Sequence, residues 1–150
     1  MKDIFDQKTT TELIERINNL NSKSPSKWGK MSVDKMLAHC NVTYEMAYEN
    51  IHKKPNFFIR FLLRIFIKKF VVNEIPYKKN IQTAPEFIIK DSKKFDKEKN
   101  RLIDYLIKTQ QLGATYFEDK ESHSFGKLSA KEWSNLFYKH LDHHLTQFGV

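Results

Sequence analysis

The sequence has few of the residues that mark disulfide-stapled or β-sheet folds. Its 150 residues include one cysteine, four glycines and four prolines. Since the single cysteine, Cys40, cannot form a disulfide within the chain, we expect a reducing compartment. Turn signals do not recur at the spacing of about 8–12 residues that is typical of β-sandwiches and barrels. These absences favour a helical fold.

Export and membrane-spanning signals are also missing. Residues 1–6 lack the apolar stretch of a secretory signal. The most apolar segment, residues 57–72, is too short and too charged to cross a bilayer. We therefore expect a cytoplasmic protein. A chain of this length predicts a single domain over residues 1–150 with its own hydrophobic core.

The chain is basic, with a formal charge of +8 from 26 basic and 18 acidic residues. Such a charge raises non-specific affinity for nucleic acids and anionic lipids. The basic residues are spread along much of the chain and form no recognition motif. A solvated, lysine-rich surface is therefore favoured over a specific polyanion site. We expect neither a nucleic-acid nor a membrane partner.

Apolar residues recur at helical spacing in five segments. Start signals precede three of them: a Thr9–Glu12 capping box, Ser32 as an N-cap, and a Ser129–Glu132 capping box. Long loops are predicted over residues 21–30, 73–91 and 117–128. The predicted helices span residues 10–20, 33–51, 57–72, 92–110 and a last segment that begins after Ser129.

The third predicted helix, residues 57–72, has an unusual pattern. Arg60, Arg64 and Lys68 recur every four residues and form one basic ridge, while most other positions are apolar. Three interpretations remain open: a helix covered within the fold or by a second subunit, a helix lying in a membrane interface, or a wall of a ligand cavity. Because apolar helical faces are usually core or interface, we favour the first and expect a homodimer.

Histidines supply the strongest functional signal. His140 and His144 are four residues apart on the predicted last helix, so their side chains share one face. The second predicted helix has two adjacent inward-facing stripes, and His39 lies on one of them. A buried imidazole needs a hydrogen-bond partner or a metal. If the fold brings His39 to the pair, the three rings form an open metal site.

Four neighbouring residues are weaker candidates. Gln147 is one turn beyond His144 on the same face and can reach a bound water or substrate. His123, in the loop before the last helix, is a candidate to cover the metal or donate to a substrate, although a surface histidine is the more ordinary interpretation. His143 points about 60° from His140 on the helical wheel. Cys40 is expected to be a small core residue.

Three segments resemble one family. They are Trp-Gly-Lys-Met-Ser-Val-Asp-Lys-Met-Leu-Ala-His at residues 28–39, Phe-Gly-Lys-Leu-Ser at 125–129, and His-Leu-Asp-His-His-Leu-Thr-Gln-Phe-Gly at 140–149. Together they resemble the DinB-like (YfiT-like) superfamily of metal-dependent enzymes, in particular an uncharacterised bacterial branch ending in His-His-x-x-Gln-Phe-Gly. The resemblance implies an up-down four-helix bundle with a long crossover, often dimeric. Together with residues 57–72, we expect an all-α fold that consists of this bundle plus one extra apolar helix. The resemblance also implies His39, His140 and His144 as the metal ligands.

The resemblance implies a class of chemistry and no particular substrate. Superfamily members include transferases that use low-molecular-weight thiols. We therefore expect a metal-dependent enzyme that activates a thiol or water, as a thiol S-transferase or a hydrolase, on a small-molecule substrate. Zn or Ni are the foremost metals, with Mn or Fe(II) also compatible. The alternatives are a non-catalytic helical bundle that binds a metal or small ligand, or a basic protein associated with membrane surfaces or nucleic acid.

Overall fold

The structure, a computed structural model, describes residues 1–150 and is mostly helical. A π-helical segment, Leu63–Ile67, joins α3 to α4, so residues 57–72 form one helical rod. One antiparallel sheet of two short strands, β1 and β2, precedes the last helix. The helices are α1 Gln7–Asn18, α2 Val33–Tyr48, α3 Phe57–Leu62, α4 Lys68–Val72, α5 Phe95–Phe117 and α6 Ala130–Gln147, and the strands are β1 Lys120–Ser122 and β2 Gly126–Leu128.

Helix α1 begins earlier than the sequence predicts. Its N-cap is Asp6, whose carboxylate accepts hydrogen bonds from the backbone N–H and the hydroxyl of Thr9 at 3.0 and 3.1 Å. The predicted capping box at Thr9 is therefore wrong. Thr9 is buried inside the first turns of the helix, and Glu12 forms an ion pair with Lys2 instead. An aspartate at the N-cap also suits the helix dipole.

Helix α2 is enclosed by its neighbours, as its two apolar stripes predict. It starts after the predicted N-cap Ser32, and every residue from 36 to 45 is buried. It ends at Tyr48, where Glu49 adopts an extended backbone, and not near Ile51. Ile51 lies outside the helix and is 64% exposed. The enclosed middle of α2 carries His39 into the interior.

The core is one cluster of 21 buried residues drawn largely from α1, α2, α5 and α6. Tyr44 of α2 stacks between Tyr105 of α5 and Phe137 of α6, with ring centroids 5.5 and 4.7 Å away. Leu102 and Leu106 of α5 are fully buried, as their spacing predicts. These contacts set α2 directly against α6, where the remaining two histidines of interest lie.

Helix α5 contains a break at Gly113, where φ is +68°. Only glycine adopts such a backbone readily, which is why the sequence predicts a stop near this position. The chain then makes one more helical turn, to Phe117. The helix starts at Phe95 and not at Ser92, because Lys94 before it has an extended backbone.

The β-hairpin corrects the all-α prediction for residues 117–128. Each strand has only three residues, and Ser122 pairs with Gly126 next to the turn. The Ser122 hydroxyl accepts from the Phe125 N–H and donates to the Gly126 carbonyl, which closes the turn. The hairpin leads into α6 through the Ser129–Glu132 capping box, which the structure confirms.

The rod of residues 57–72 lies against the protein by its basic ridge. Arg60 pairs with Glu121 of β1, and Lys68 pairs with Glu132 of α6. Most of its apolar side chains face outward, so the chain itself does not cover them. Coverage by a second subunit, and hence the homodimer, stays a prediction. None of the helices combines the length and hydropathy that a membrane span requires.

Candidate metal site

The structure brings together the three histidines that the sequence singles out. His39 comes from α2, and His140 and His144 come from α6. One potential ligand nitrogen from each ring lies within 4.8 Å of the others. His39 and His144 are only 5% and 8% exposed, while His140 is partly exposed. His140 is thus the most exposed residue of the three.

The Phe87 carbonyl determines the tautomer of His39. The Nδ1 atom of His39 lies 2.9 Å from this oxygen, in the short 3-10 turn Pro85–Phe87. A carbonyl oxygen only accepts hydrogen bonds, so Nδ1 carries the proton. The Nε2 atom of His39 then presents a lone pair to the other two rings.

The side-chain amide of Gln147 determines the tautomer of His144. Its Oε1 lies 2.8 Å from Nδ1 of His144, and its Nε2 donates to the Trp28 carbonyl at 2.8 Å. Because the Trp28 carbonyl can only accept, the amide orientation is determined and Oε1 must face the histidine. His144 is therefore protonated on Nδ1 and unprotonated on Nε2.

His140 has a hydroxyl as its outer partner. Its Nδ1 lies 2.9 Å from Oγ1 of Thr43, and its Nε2 lies 2.9 Å from Nε2 of His39. Two lone pairs cannot face each other at this distance, so a proton or a metal cation must lie between them. With a proton there, Thr43 donates to Nδ1. With a metal cation there, Thr43 accepts from Nδ1–H. All three imidazoles then have the outer hydrogen bond typical of metal-binding histidines.

Electrostatics keeps the three rings neutral. Burial is the main cause that lowers the pKa of His39, His140 and His144, and it brings that of His144 to about 3. Mutual repulsion between the rings lowers the pKa of His140 and His144 further. Neutral imidazoles are the form that binds metals. The group is therefore ready to act as a ligand set at neutral pH.

A glycine shapes the turn that supplies the Trp28 carbonyl. Gly29 has φ +78°, and a Cβ at this position would lie 2.9 Å from Nε2 of Gln147. Both observations exclude a larger residue without displacement of Gln147. The Trp28–Gly29 turn thus supports His144 through one intervening side chain.

The other sequence candidates lie away from the metal-facing nitrogens. Both ends of the Gln147 amide are engaged, so this residue positions His144, and a role at the substrate stays a prediction. The ring of His143 lies 5.8 Å from those of Trp28 and Tyr77 and is not one of the three grouped histidines. Cys40 is fully buried, which raises the pKa of its thiol and makes it unsuitable as a nucleophile.

His123 lies in the turn of the β-hairpin. Its Nδ1 is 3.0 Å from the Ser124 hydroxyl and its Nε2 is 3.4 Å from the carbonyl of His52. The side chain is buried, in contrast to the surface position that the loop suggested. It is not one of the grouped histidines, so the structure gives no support for a catalytic role.

Sequence reasoning missed the outer partners of the histidines. Thr43 lies four residues after His39 on the same stripe of α2, so helical spacing is a signal that can find it. Phe87 contributes a backbone carbonyl, and its ring lies 5.3 and 5.8 Å from those of His39 and His140. The hydrogen bond that Phe87 makes with His39 is through its backbone carbonyl, and no pattern of side chains in the long connection before α5 predicts such a contact.

The donor set determines which cations fit. It consists of three neutral nitrogens and no carboxylate. Imidazole ligands suit Zn, Ni and Fe(II), whereas Mg and Ca prefer oxygen ligands. Three protein ligands also leave at least one coordination position open, as in catalytic zinc sites.

Comparisons with curated proteins and with solved structures give no match. A family model described as a protein of unknown function, DUF1569, matches residues 4–149. The match covers all six helices, the hairpin and the three grouped histidines. The chain therefore belongs to the DUF1569 family.

Proposed function

We propose that the protein is a metal-dependent enzyme whose three-histidine site activates a thiol or water nucleophile. One observation carries this proposal: three largely buried histidines bring one ring nitrogen each to within 4.8 Å of the others, while each Nδ1 atom has its own hydrogen-bond partner. Without a cation, a proton can join Nε2 of His39 to Nε2 of His140, but Nε2 of His144 has no hydrogen-bond partner within the protein. A metal cation satisfies all three at once.

The proposed fold is the DinB-like bundle that the sequence resembles. Helices α1, α2, α5 and α6 are the four main helices, and they supply most of the shared core. The rod of residues 57–72 is the extra apolar helix, and residues 73–94 form the long crossover. In this arrangement one ligand comes from the second helix and two from the last, as the resemblance implies.

The residues around the group have distinct tasks in this proposal. A divalent cation supplies a Lewis acid that lowers the pKa of a coordinated water or thiol. His39, His140 and His144 would hold it. Thr43, Gln147 and the Phe87 carbonyl orient the rings. The Phe87 ring limits solvent access from one side, which favours a small substrate that approaches beside His140.

Zn or Ni are the foremost metals in this proposal, and Mn or Fe(II) are compatible with three imidazoles. The nucleophile would be a low-molecular-weight thiol in a transferase or water in a hydrolase. The described side chains include no site specific to one thiol. A non-catalytic bundle that binds a metal through the same three histidines is the second candidate, because the same geometry supports it.

Metal content tests the site. We expect about one equivalent of Zn or Ni per chain after loading and gel filtration, measured by plasma mass spectrometry. His39→Ala, His140→Ala and His144→Ala should each lose it. His143→Ala is the matched control, since this neighbouring histidine on α6 is outside the group, and it should retain full loading. Background metal in the wild-type chain would refute the proposal.

Turnover separates the enzyme from the non-catalytic binder. The loaded protein is incubated with small thiols plus electrophiles, and separately with activated esters and amides. Thiol-dependent product that His144→Ala does not form supports a transferase, and thiol-independent hydrolysis supports a hydrolase. Tight metal binding without either activity favours the non-catalytic bundle.

A further inference from the structure

The net charge of the protein is concentrated around the rod of residues 57–72. Residues 51–80 carry eight basic side chains and one acidic side chain, a net charge of +7, while the remaining 120 residues carry +1. Basic residues do occur along much of the chain, as expected from the sequence, but outside residues 51–80 acidic residues nearly balance them in sum. Ion pairs with Glu121 and Glu132 occupy only two of the eight cations.

The same segment, residues 51–80, contains most of the exposed large hydrophobic residues of the protein. Nine hydrophobic residues of the rod are exposed, from Leu62 at 37% to Phe57 at 86%. At roughly 180 Å² for a fully exposed side chain, they present roughly 900 Å² of apolar surface. The largest apolar patch on a typical monomer is about 300–600 Å². They are Phe57, Phe58, Ile59, Phe61, Leu62, Ile65, Phe66, Ile67 and Phe70.

The C-terminal end of the rod is attached to α6, and the apolar face is turned outward. Lys139 of α6 donates to the Phe70 carbonyl and to both oxygens of Asn73 at 2.8–2.9 Å, which fastens the end of α4. Asn135 of α6 donates to the Val72 carbonyl at 2.9 Å. The rod is thus attached to α6 at its C-terminal end, and Arg60 pairs with Glu121 of β1 toward its other end.

A cation-lined cavity lies beside the apolar face. It occupies about 470 Å³ between the rod and the start of α6. Four basic side chains, Arg64, Lys68, Lys69 and Lys131, line it together with one acidic residue, Glu132. Its position next to exposed phenylalanines suits a molecule that has an anionic head attached to an apolar body.

Area alone would also allow a second copy, because a stable dimer buries about 800 Å² on each partner. Charge decides between the two occupants. Six of the eight basic side chains of residues 51–80 form no ion pair with Glu121 or Glu132. A twofold contact through this face would bring two such sets of cations together, and like charges across an interface oppose association. An anionic bilayer suits both the apolar and the basic side chains. Its headgroup boundary takes up apolar side chains, and its negative charge stabilises each nearby lysine by about 1 kcal/mol.

We propose that residues 51–80 form a docking surface for the anionic phospholipid surface of a membrane. This proposal replaces two expectations from the sequence, a homodimer through this face and the absence of a membrane partner. The exposed phenylalanines enter the headgroup boundary, the surrounding lysines contact lipid phosphates, and the cavity beside α4 accepts an anionic headgroup. The surface does not include the three grouped histidines, so this proposal stands or fails independently of the metal chemistry.

Vesicle flotation of the full-length chain tests the proposal. In ~0.15 M salt, we expect binding to phosphatidylcholine vesicles that contain phosphatidylglycerol, at least tenfold tighter than to pure phosphatidylcholine. Phe58→Ser/Phe66→Ser should weaken binding more than tenfold, and Lys53→Gln/Lys69→Gln about fivefold or more. All four side chains are exposed, so these variants should keep the wild-type melting temperature.

Matched controls lie elsewhere on the surface. Ile107→Ser and Lys23→Gln/Lys97→Gln change exposed residues of the same types and should bind vesicles like the wild type. His144→Ala, which tests the metal site, should also bind normally. Equal binding to both vesicle types, or binding insensitive to the phenylalanine variant, would overturn the proposal. So would phenylalanine-dependent dimers without vesicle binding, or duplex DNA binding lost only with the lysines.

Discussion

Replacing Gln147 by leucine tests whether the outer hydrogen bonds prepare the histidine group for a metal. Leucine keeps most of the side-chain volume but can neither accept from His144 nor donate to Trp28. The His144 ring then loses the acceptor that keeps its proton on Nδ1. Its Nε2 lone pair is no longer held toward His39 and His140, although all three ligands remain.

The hydrogen bonds of Gln147 indicate how much Gln147→Leu should weaken metal binding and lower the free energy of unfolding. Loss of an outer partner of a metal-binding histidine typically weakens metal binding by about 10–100-fold, or about 1.4–2.7 kcal/mol. The substitution also leaves two groups without their partner, the partly buried Trp28 carbonyl and the buried Nδ1–H of His144; the buried one costs about 1–3 kcal/mol and the Trp28 carbonyl less. We therefore expect weaker metal binding together with a lower free energy of unfolding, in a protein that still folds.

Competition against a chromophoric zinc chelator measures the metal affinity, and circular dichroism of the metal-free protein checks folding. Gln147→Glu is the informative companion, because its carboxylate still accepts from His144 and should retain tighter zinc binding than Gln147→Leu. Gln111→Leu, at an exposed position of α5, is the matched control. If folded Gln147→Leu binds zinc within twofold of the wild type, the positioning role is wrong.

Three further predictions concern the histidine group and the core. Gly29→Ala should weaken zinc binding in the same competition assay, because its Cβ would collide with the Gln147 amide in a backbone conformation that alanine resists. Without metal, the free energy of unfolding should fall as the pH drops below about 6.5. The unfolded chain then protonates His39, His140 and His144, while burial keeps them neutral in the fold, so the loss is up to about 1.4 kcal/mol per pH unit for each histidine. Urea unfolding in the presence of a chelator measures this loss, and a flat profile from pH 7 to 5 would contradict the prediction. Cys40 should be unreactive toward a thiol reagent in the native protein and titrate as one thiol in denaturant.

Helical spacing explains how much of the candidate site the sequence predicts. His140 and His144 share a face because they are four residues apart, and His39 faces inward because both stripes of α2 are apolar. These inferences need only the helical period. The Phe87 carbonyl has no such signal, because any residue of the crossover can present one. The sequence therefore predicts the ligands but not the partners that select their tautomers.

The errors in the fold prediction have local causes. Asp6 and Thr9 are both good N-cap residues, and Asp6 prevails because its carboxylate accepts two hydrogen bonds from Thr9. The β-hairpin has strands of three residues, too short for alternation to show. Its turn depends on a serine hydroxyl that makes hydrogen bonds on both sides. Periodicity finds long helices and overlooks such short elements.

The rod of residues 57–72 shows a limit of reasoning from hydrophobic pattern alone. Its apolar face indicates burial, but the pattern does not show whether the rest of the chain, a second subunit or a membrane covers that face. In the structure the basic ridge faces inward, where Arg60 and Lys68 find acidic partners, and this leaves the apolar face outside. Helix α6 connects this arrangement to the candidate metal site, since Lys139 fastens the rod and the next residue, His140, belongs to the histidine group. Variants at exposed positions of the rod therefore separate docking from metal binding, whereas a change at Lys139 would disturb both.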